Sequence, residues 1–534
     1  MPDSEFDVIV LGGGHNGLTA ANYLAKAGLR VCVLERRTTV GGAAVTEEFS
    51  PGYRNSLASY VVSLLKEEII DDLELRSYGY ETILLPNSFY PGLDGSHLLL
   101  TENENHNKGQ IGKFSSTDHD ALKEFENIVD QVGGIISKYW MDPPPKLSGG
   151  GLSDVINAIK LGSDIYKLDT DARYRLIQFL VGAPETIIER WFESDKIKAV
   201  IAAHCMPGNY ASLEQPGASL AMLHHAVGEI DGKQGSWGIV RGGMGKITQA
   251  MAASAIAKGV EIRTDSEVEK ILVQDNRVQG VRLKQGAVLL AKIVAANTDP
   301  KRTFLTLLGK EYLPDSFAKD ISAYRMESAS LRMNLALRGL PEFACIDDQV
   351  VGEHHRSTIT FIENKQHLET VFRSARAGIP ADRPIIEAII PSVLDDTLTD
   401  KPGTHVMSLL CKYMPFDLAD GRHWDTEKEA VVAKILDYLA LYIPNLHDIL
   451  ESWQCLTPLD IERIFGMTRG DILHGRLEPD QMLSTRPHPE AAQYATPVDG
   501  LYLCGSGAHP GGGVSGVPGR NAANRILNDL RNKK

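Results

Sequence analysis

A small set of residues near the N-terminus has the types and spacing to hold a dinucleotide. Gly12, Gly14 and Gly17 form G-x-G-x-x-G, and Glu35 follows Gly14 by 21 residues. In such a pattern the first glycine permits a tight turn. The second lets backbone approach a pyrophosphate, and the third lets a helix pack close to a strand. The N-terminus of that helix offers free N–H groups and partial positive charge to phosphates. A carboxylate at Glu35 is spaced to accept hydrogen bonds from a ribose hydroxyl and would repel a 2′-phosphate, which disfavours NADP. Gly41 and Gly42 make a further glycine turn just past the acid and allow a second close backbone approach.

These residues need elements to hold them. Asp7–Leu11 is an apolar, β-branched run that reads as a buried parallel strand. Leu18, Ala21 and Leu24 recur at helical spacing, and Gly28 closes that helix. Val31–Leu34 makes a second strand with Glu35 at its end. A βαβ unit of this length turns a weak glycine pattern into a dinucleotide fingerprint.

The far end of the chain repeats the theme. Leu501–Cys504 reads as a strand, Gly505 and Gly507 end it, and Gly511, Gly512 and Gly513 make an open turn before a helix from about Val517 to Leu527. Two strand–glycine–helix units at opposite ends predict that both termini grip one extended cofactor. His509, a titratable group in that glycine turn, is the candidate catalytic acid or base, with a structural role as the competing reading. His15 lies inside the fingerprint and is expected to touch the cofactor rather than react. Arg520 either pairs with a phosphate or carboxylate or solvates the last helix. Ser506 lacks the G-x-S-x-G of a nucleophile elbow, since Cys504 stands two residues before it. His224-His225 and His354-His355 are neighbours that cannot share a helix face, so core or surface positions are expected rather than metal ligands.

Composition bounds the rest. A chain of 534 residues is too long for one core. A net charge of −14 argues against nucleic-acid binding. No apolar run is long enough for a membrane span, and the short acidic start MPDSEF leads straight into the first strand, so a cytoplasmic protein without a signal or transit peptide is expected. Cysteines at 32, 205, 345, 411, 455 and 504 form no close pair, which leaves a zinc site or dithiol centre unsupported.

Between the ends, residues 101–112 read as a loop and a helix is expected from about His119 to Tyr139. Pro143–Pro145 and Gly149–Gly151 then break the chain. Residues 152–235 read mostly as helix. The spacing of Val155, Ile156, Ile159 and Leu161 favours a core-facing helix pair over a membrane-touching face. Gly242-Gly243-Met244 fits a glycine turn opening a helix at Ile247, not a phosphate loop. Strands are expected at Val260–Arg263, Val268–Gln274, Arg277–Lys284 and Lys292–Ala296. More follow at Ser330–Leu337, Thr358–Ile362, Pro384–Ile390 and Thr404–Cys411, with a helix at Lys428–Leu441.

Several segments together resemble the phytoene-desaturase-like flavoproteins and, within them, the subgroup called pyridine nucleotide-disulphide oxidoreductase domain-containing protein 2. The matching motifs are GHNGL at Gly14–Leu18, ERR…GGAAVTEE at Glu35–Glu48, WFES at Trp191–Ser194 and GGMG at Gly242–Gly245. They continue with IERIFG at Ile461–Gly466 and LYLCGSGAHPGGGV…GRNAA at Leu501–Ala523. The resemblance covers nearly the whole chain and implies a non-covalent FAD. By matching positions it places Gly12, Gly14, Asn16 and Gly17 along the pyrophosphate, with His15 among them. Glu35 would hold the adenosine ribose with Arg36 beside it, and Gly41, Gly42 and Ala43 would pass the ribityl chain. Val268 would meet adenine, Gly505 the pyrophosphate, and Gly516 and Val517 the flavin ring. Disulphide chemistry, which the subgroup's name suggests, is not expected: there is no redox cysteine pair and no second glycine fingerprint for a nicotinamide.

The resulting expectation is an α/β protein. A discontinuous Rossmann-type FAD domain (1–115, 236–300 and 471–534) joins an α+β substrate domain (116–235 and 301–470) of amine-oxidase or phytoene-desaturase type. The expected activity is dehydrogenation, desaturation or flavin-assisted isomerisation of a hydrophobic polyene- or lipid-like molecule, with possible peripheral membrane contact. The alternative is a flavin-binding interaction protein with little turnover. A deep apolar pocket at the ring favours the first, and a sealed ring beside an exposed apolar patch favours the second.

Overall fold

The computed structural model describes residues 5–146, 152–206, 208–347 and 350–532. Phe6–Leu11 is the centre of a seven-stranded sheet. It is flanked in parallel by Val31–Leu34 and by Val288–Ala296, with Val8 opposite Val31 and Ile293. Being apolar on both faces, it can be covered on both, as a central parallel strand requires. Glu261–Arg263 adds outside Val31–Leu34. Leu501–Leu503 pairs in parallel with Val294–Ala296. The other half of that long strand runs antiparallel to Arg277–Leu283, which pairs in turn with Val268–Gln274. Strands from three distant regions therefore share one sheet.

The first and last helices, His15–Lys26 and Val517–Asn532, pack backbone to backbone: a Cβ on Gly519 would lie 2.0 Å from the Asn16 carbonyl oxygen. The helix Gly245–Ala257 lies alongside the first helix, which Asn22 ties to it by donating to the Met251 carbonyl (2.9 Å). The glycine turn before it spends its N–H groups on the protein. Met244 N–H donates to Ser56 Oγ and Gly245 N–H to Thr46 Oγ1, each at 2.9 Å.

A second seven-stranded sheet has the order Leu450–Leu456, Leu331–Leu337, His405–Cys411, Ile386–Ile389, Ser357–Phe361, Asn87–Pro91, His97–Leu100. Side chains alternate between its faces. Leu331, Met333, Ile386, Ala388 and Leu409 enter a core with Ile435 of the helix Trp424–Ala440. Arg332, Glu387 and Leu410 take the opposite face, toward the nucleotide-binding sheet. A helical layer (Asp118–Trp140, Thr170–Val181, Pro184–Trp191 and Asp195–His204) packs around Phe125, Phe179 and Phe192.

Some expectations need revision. Residues 87–100, grouped on sequence with the nucleotide-binding segments, pair into the second sheet instead, where buried Phe89 stands opposite Ile359. Residues 101–112 are not loop throughout: Asn103 caps a helix, Glu104–Ile111, by accepting from the N–H groups of Asn105 and His106. The helix Leu152–Lys167 meets the core only in part: Ile165 packs against the helical layer, but Ile156 and Ile159 are 53% and 66% exposed. The Val155 side chain, the side chains of His224 and His225, and residues 149–151 lie outside the described residues. His354 and His355 are buried, with ring centroids 3.9 Å apart, against Phe343.

Candidate functional site: a dinucleotide cleft opening on a second sheet

A long cleft begins at the carboxyl ends of the parallel strands, where such sheets bind ligands, and runs to the second sheet. Glu35 stands at the end formed by the parallel strands. Its carboxylate accepts from the N–H groups of Gly13 (2.8 Å) and Arg37 (2.9 Å), and Arg36, Ser266 and Val268 line the cleft beside it. Gly12 turns the chain with φ +96°, and Asn297 buttresses the turn by donating from Nδ2 to the Gly12 carbonyl (3.2 Å). A Cβ on Gly17 would lie 2.2 Å from that same carbonyl oxygen, so only glycine lets the helix start here.

The two glycine turns meet. His15 Nε2 is hydrogen-bonded to the Gly513 carbonyl (3.1 Å), and Asn16 Nδ2 donates to Ser506 Oγ (3.1 Å). Gly12, Gly14 and His15 therefore share one cavity wall with Ser506, Gly513 and Val514, and Gly42 and Ala43 continue it. A Cβ on Gly42 would come within 3.4 Å of the Gly14 Cα, so the two glycine turns pack backbone against backbone in the cleft wall. Past this point the lining changes to Tyr60, Trp237, Arg332, Glu387 and Leu410.

Of the residues singled out on sequence, Gly12, Gly14, His15, Glu35, Arg36, Gly42, Ala43 and Val268 lie on the cleft surface. Asn16, Gly17, Gly41, Gly505, Gly516 and Val517 stand behind it. Gly41 donates to the Gly13 carbonyl (2.9 Å), and a Cβ on Gly505 would sit 2.7 Å from the Asn297 carbonyl oxygen. Gly516 abuts Thr19 and Ile69, while the Val517 N–H donates to Ser515 Oγ (3.3 Å). Arg520 pairs with the Glu68 carboxylate.

His509 does not reach the cleft. Its ring is buried against Trp140, with centroids 6.5 Å apart, and neither ring nitrogen has a partner in hydrogen-bonding geometry. Burial pushes its pKa down to about 4. The histidine that does line the cleft beside His15 is His474, held at φ +54° by its turn. Burial lowers its pKa, keeping the ring neutral at physiological pH, and its Nδ1 is buried without a partner. Sequence reasoning missed it because a lone histidine between Leu473 and Gly475 matches no motif. Arg486 was missed for the same reason. Its guanidinium, fully buried, donates to the carbonyls of Leu473 (2.7 Å), His474 (3.2 Å) and Ser506 (3.0 Å), joining the two loops that frame this part of the cleft.

Among the described residues no group of His, Cys, Asp or Glu could hold a metal ion. All six cysteines are free thiols, and none lines the cleft.

A Rossmann-type sheet joined to a second sheet across one continuous cleft defines a class: the FAD-dependent oxidoreductases with amine-oxidase or phytoene-desaturase architecture. Residues 10–67 match the family described as NAD(P)-binding Rossmann-like domain. The chain is 39% identical, over 99% of its length and 94% of the relative's, to pyridine nucleotide-disulfide oxidoreductase domain-containing protein 2 of Rattus norvegicus, and it belongs to that family. It is 24% identical to 4,4'-diaponeurosporene oxygenase of Staphylococcus haemolyticus, covering 98% of this chain and 97% of that one. The fold is shared with cyclohexylamine oxidase from Brevibacterium oxydans, at a TM-score of 0.59 and 14% identity over 98% of this chain and 99% of that one.

Proposed function

We propose that the protein binds FAD non-covalently along this cleft and dehydrogenates, or shifts a double bond in, a hydrophobic polyene- or lipid-like substrate. The supporting observation is continuity. One cavity runs from Glu35, past the glycines Gly14 and Gly42, into a pocket walled by Tyr60, Trp237 and Leu410. Glu35 would hold the adenosine ribose. The N-terminus of His15–Lys26 would hold the pyrophosphate, and Gly42, Ala43, Gly513 and Val514 would flank the ring.

Bound FAD supplies the acceptor for a hydride leaving a substrate carbon. A proton leaves the adjacent carbon as the double bond forms, and the neutral His474 ring, which lines the cleft, would take it. Trp237, Leu64 and Leu410 exclude water from that space. A disulphide reductase does not suit this site, because burial raises the pKa of every cysteine and none faces the cleft. The low-turnover interaction role would suit a sealed ring, whereas this cavity continues past the glycines. The exposed apolar side chains of Leu152–Lys167 and Thr170–Val181 would rest on a lipid surface from which such a substrate is drawn.

The test has two steps: reconstitution of the purified chain with FAD, followed by anaerobic mixing with polyenes and related lipids. Bleaching of the flavin absorption with at least one of them is expected. Protein that takes up no FAD, or bound flavin that no such lipid bleaches, would overturn the reading.

A further inference from the structure

The deep end of the cleft carries a buried cation without a carboxylate partner. Arg332, 2% exposed, sits on Leu331–Leu337, beside the edge strand of the second sheet, and lines the cavity. Its Nη1 donates to the Leu409 carbonyl (2.6 Å) and its Nη2 to Ser408 Oγ (2.7 Å). The Tyr60 ring lies 4.5 Å from the guanidinium carbon, and Nε is buried with no partner. Burial lowers the Arg332 pKa to about 10, so it stays charged at neutral pH.

The nearest acid is already engaged. Glu387 pairs with buried Lys412 (2.5 Å) and accepts from the Tyr60 hydroxyl (2.9 Å). Lys412 also donates to the Ala203 carbonyl. His204, bonded to the Tyr90 hydroxyl (2.7 Å), is held neutral by burial, and burial likewise keeps the Cys411 thiol and the Tyr60 hydroxyl protonated. Two cations and one carboxylate therefore leave a net charge of +1 at the end of an otherwise apolar pocket.

A buried charge is stable only when it is paired or well hydrogen-bonded, and arginine presents its donors in a fork that suits carboxylates. A purely structural arginine would be expected to spend its donors on the protein, as Arg486 does on five backbone carbonyls and a thioether. Arg332 instead lines the cavity with Nε unpaired, and its charge, beside that of Lys412, has no carboxylate of its own. We propose that this end of the cleft recognises a monoanionic head group, so that the substrate is a hydrophobic carboxylic acid whose carboxylate lies against Arg332. Its apolar body would run along Leu410 and Trp237 toward the proposed ring position. The inference deepens the oxidoreductase reading by naming its substrate class.

The probes are matched series: benzoate, retinoate and oleate, each beside its alcohol, with binding read by calorimetry and by perturbation of the flavin spectrum after FAD loading. At least one acid should bind about tenfold or more tightly than its alcohol, the scale of a charge-assisted contact. Arg332→Gln should erase that preference and Arg332→Lys should retain part of it. The wild-type preference alone decides the matter if Arg332→Gln fails to fold. Equal binding of acid and alcohol, binding of the alcohols alone, or no binding by any acid overturns the proposal. Calorimetry needs no flavin, so a chain that selects acids yet takes up no FAD would refute the oxidoreductase reading and leave the acid site standing.

Discussion

His474 and His509 are both buried and both held neutral, but only His474 meets the cleft. His474→Gln should keep FAD affinity within about threefold while slowing flavin reduction about 100-fold, the usual scale of a lost general base; stopped-flow reduction with a working substrate measures it. His509 offers a different test, of stability. Its folded pKa, about 4, lies below the ordinary 6.5, so the unfolded chain binds the extra proton between those values. The stabilisation is complete above pH 6.5 and is lost as pH falls toward 4, a change of about 2 kcal/mol between pH 7 and 5. His509→Leu should remove that increment from the pH dependence of urea unfolding. An unchanged pH slope would mean the ring is not held neutral. On sequence only His509 stood out, because it lies among glycines that form a motif and His474 does not.

At the level of elements, Arg486 ties the loop of Leu473 and His474 to the C-terminal glycine turn through their carbonyls. Arg486→Ala would leave these buried acceptors without a donor and open a cavity between the loops. A loss of about 3 kcal/mol or more in unfolding free energy is expected, with weaker FAD binding, measured by denaturant titration and by quenching of flavin fluorescence. Legibility in the sequence follows the same line between local and distant contacts. The fingerprint was readable because its glycines act on their own turn: Gly17 is required by a carbonyl only five residues earlier. The strand Leu331–Leu337 was readable from its alternation, but what that alternation set opposite Glu35 was not. Arg332, Glu387 and Tyr60 come together only through pairing across hundreds of residues. Residues 87–100 were grouped with the nucleotide-binding segments for the same reason, since Ser357–Phe361, the partner of Asn87–Pro91, is equally remote. The helix Leu152–Lys167 shows the converse limit. Helical spacing reveals an apolar face but not what the face meets.

At the scale of the whole molecule that face becomes an argument about where the protein works. Ile156, Ile159, Tyr166, Ile177 and Val181 are all more than half exposed, and they lie on two consecutive helices of the layer beside the second sheet. No helix among the described residues is long and apolar enough to cross a membrane. Isolated apolar side chains at a surface need no explanation, and Ile256, Val288, Val350 and Leu483 are such cases elsewhere, but five on one helical pair do. The net charge of −14 opposes adsorption to an anionic surface, so binding through this face should be apolar and indifferent to screening. Zwitterionic phosphatidylcholine vesicles should carry the protein down in sedimentation, with no loss in high salt. Ile159→Asp combined with Ile177→Asp should reduce the partition coefficient at least about tenfold, since two exposed side chains of this size contribute roughly 1.5–3 kcal/mol each when buried. FAD content should be unchanged, because neither residue approaches the cleft. If the doubly substituted protein sediments with vesicles as well as the wild type, this face is not the contact; if the wild type stays in the supernatant, a lipid substrate must reach the cleft from solution or from a carrier.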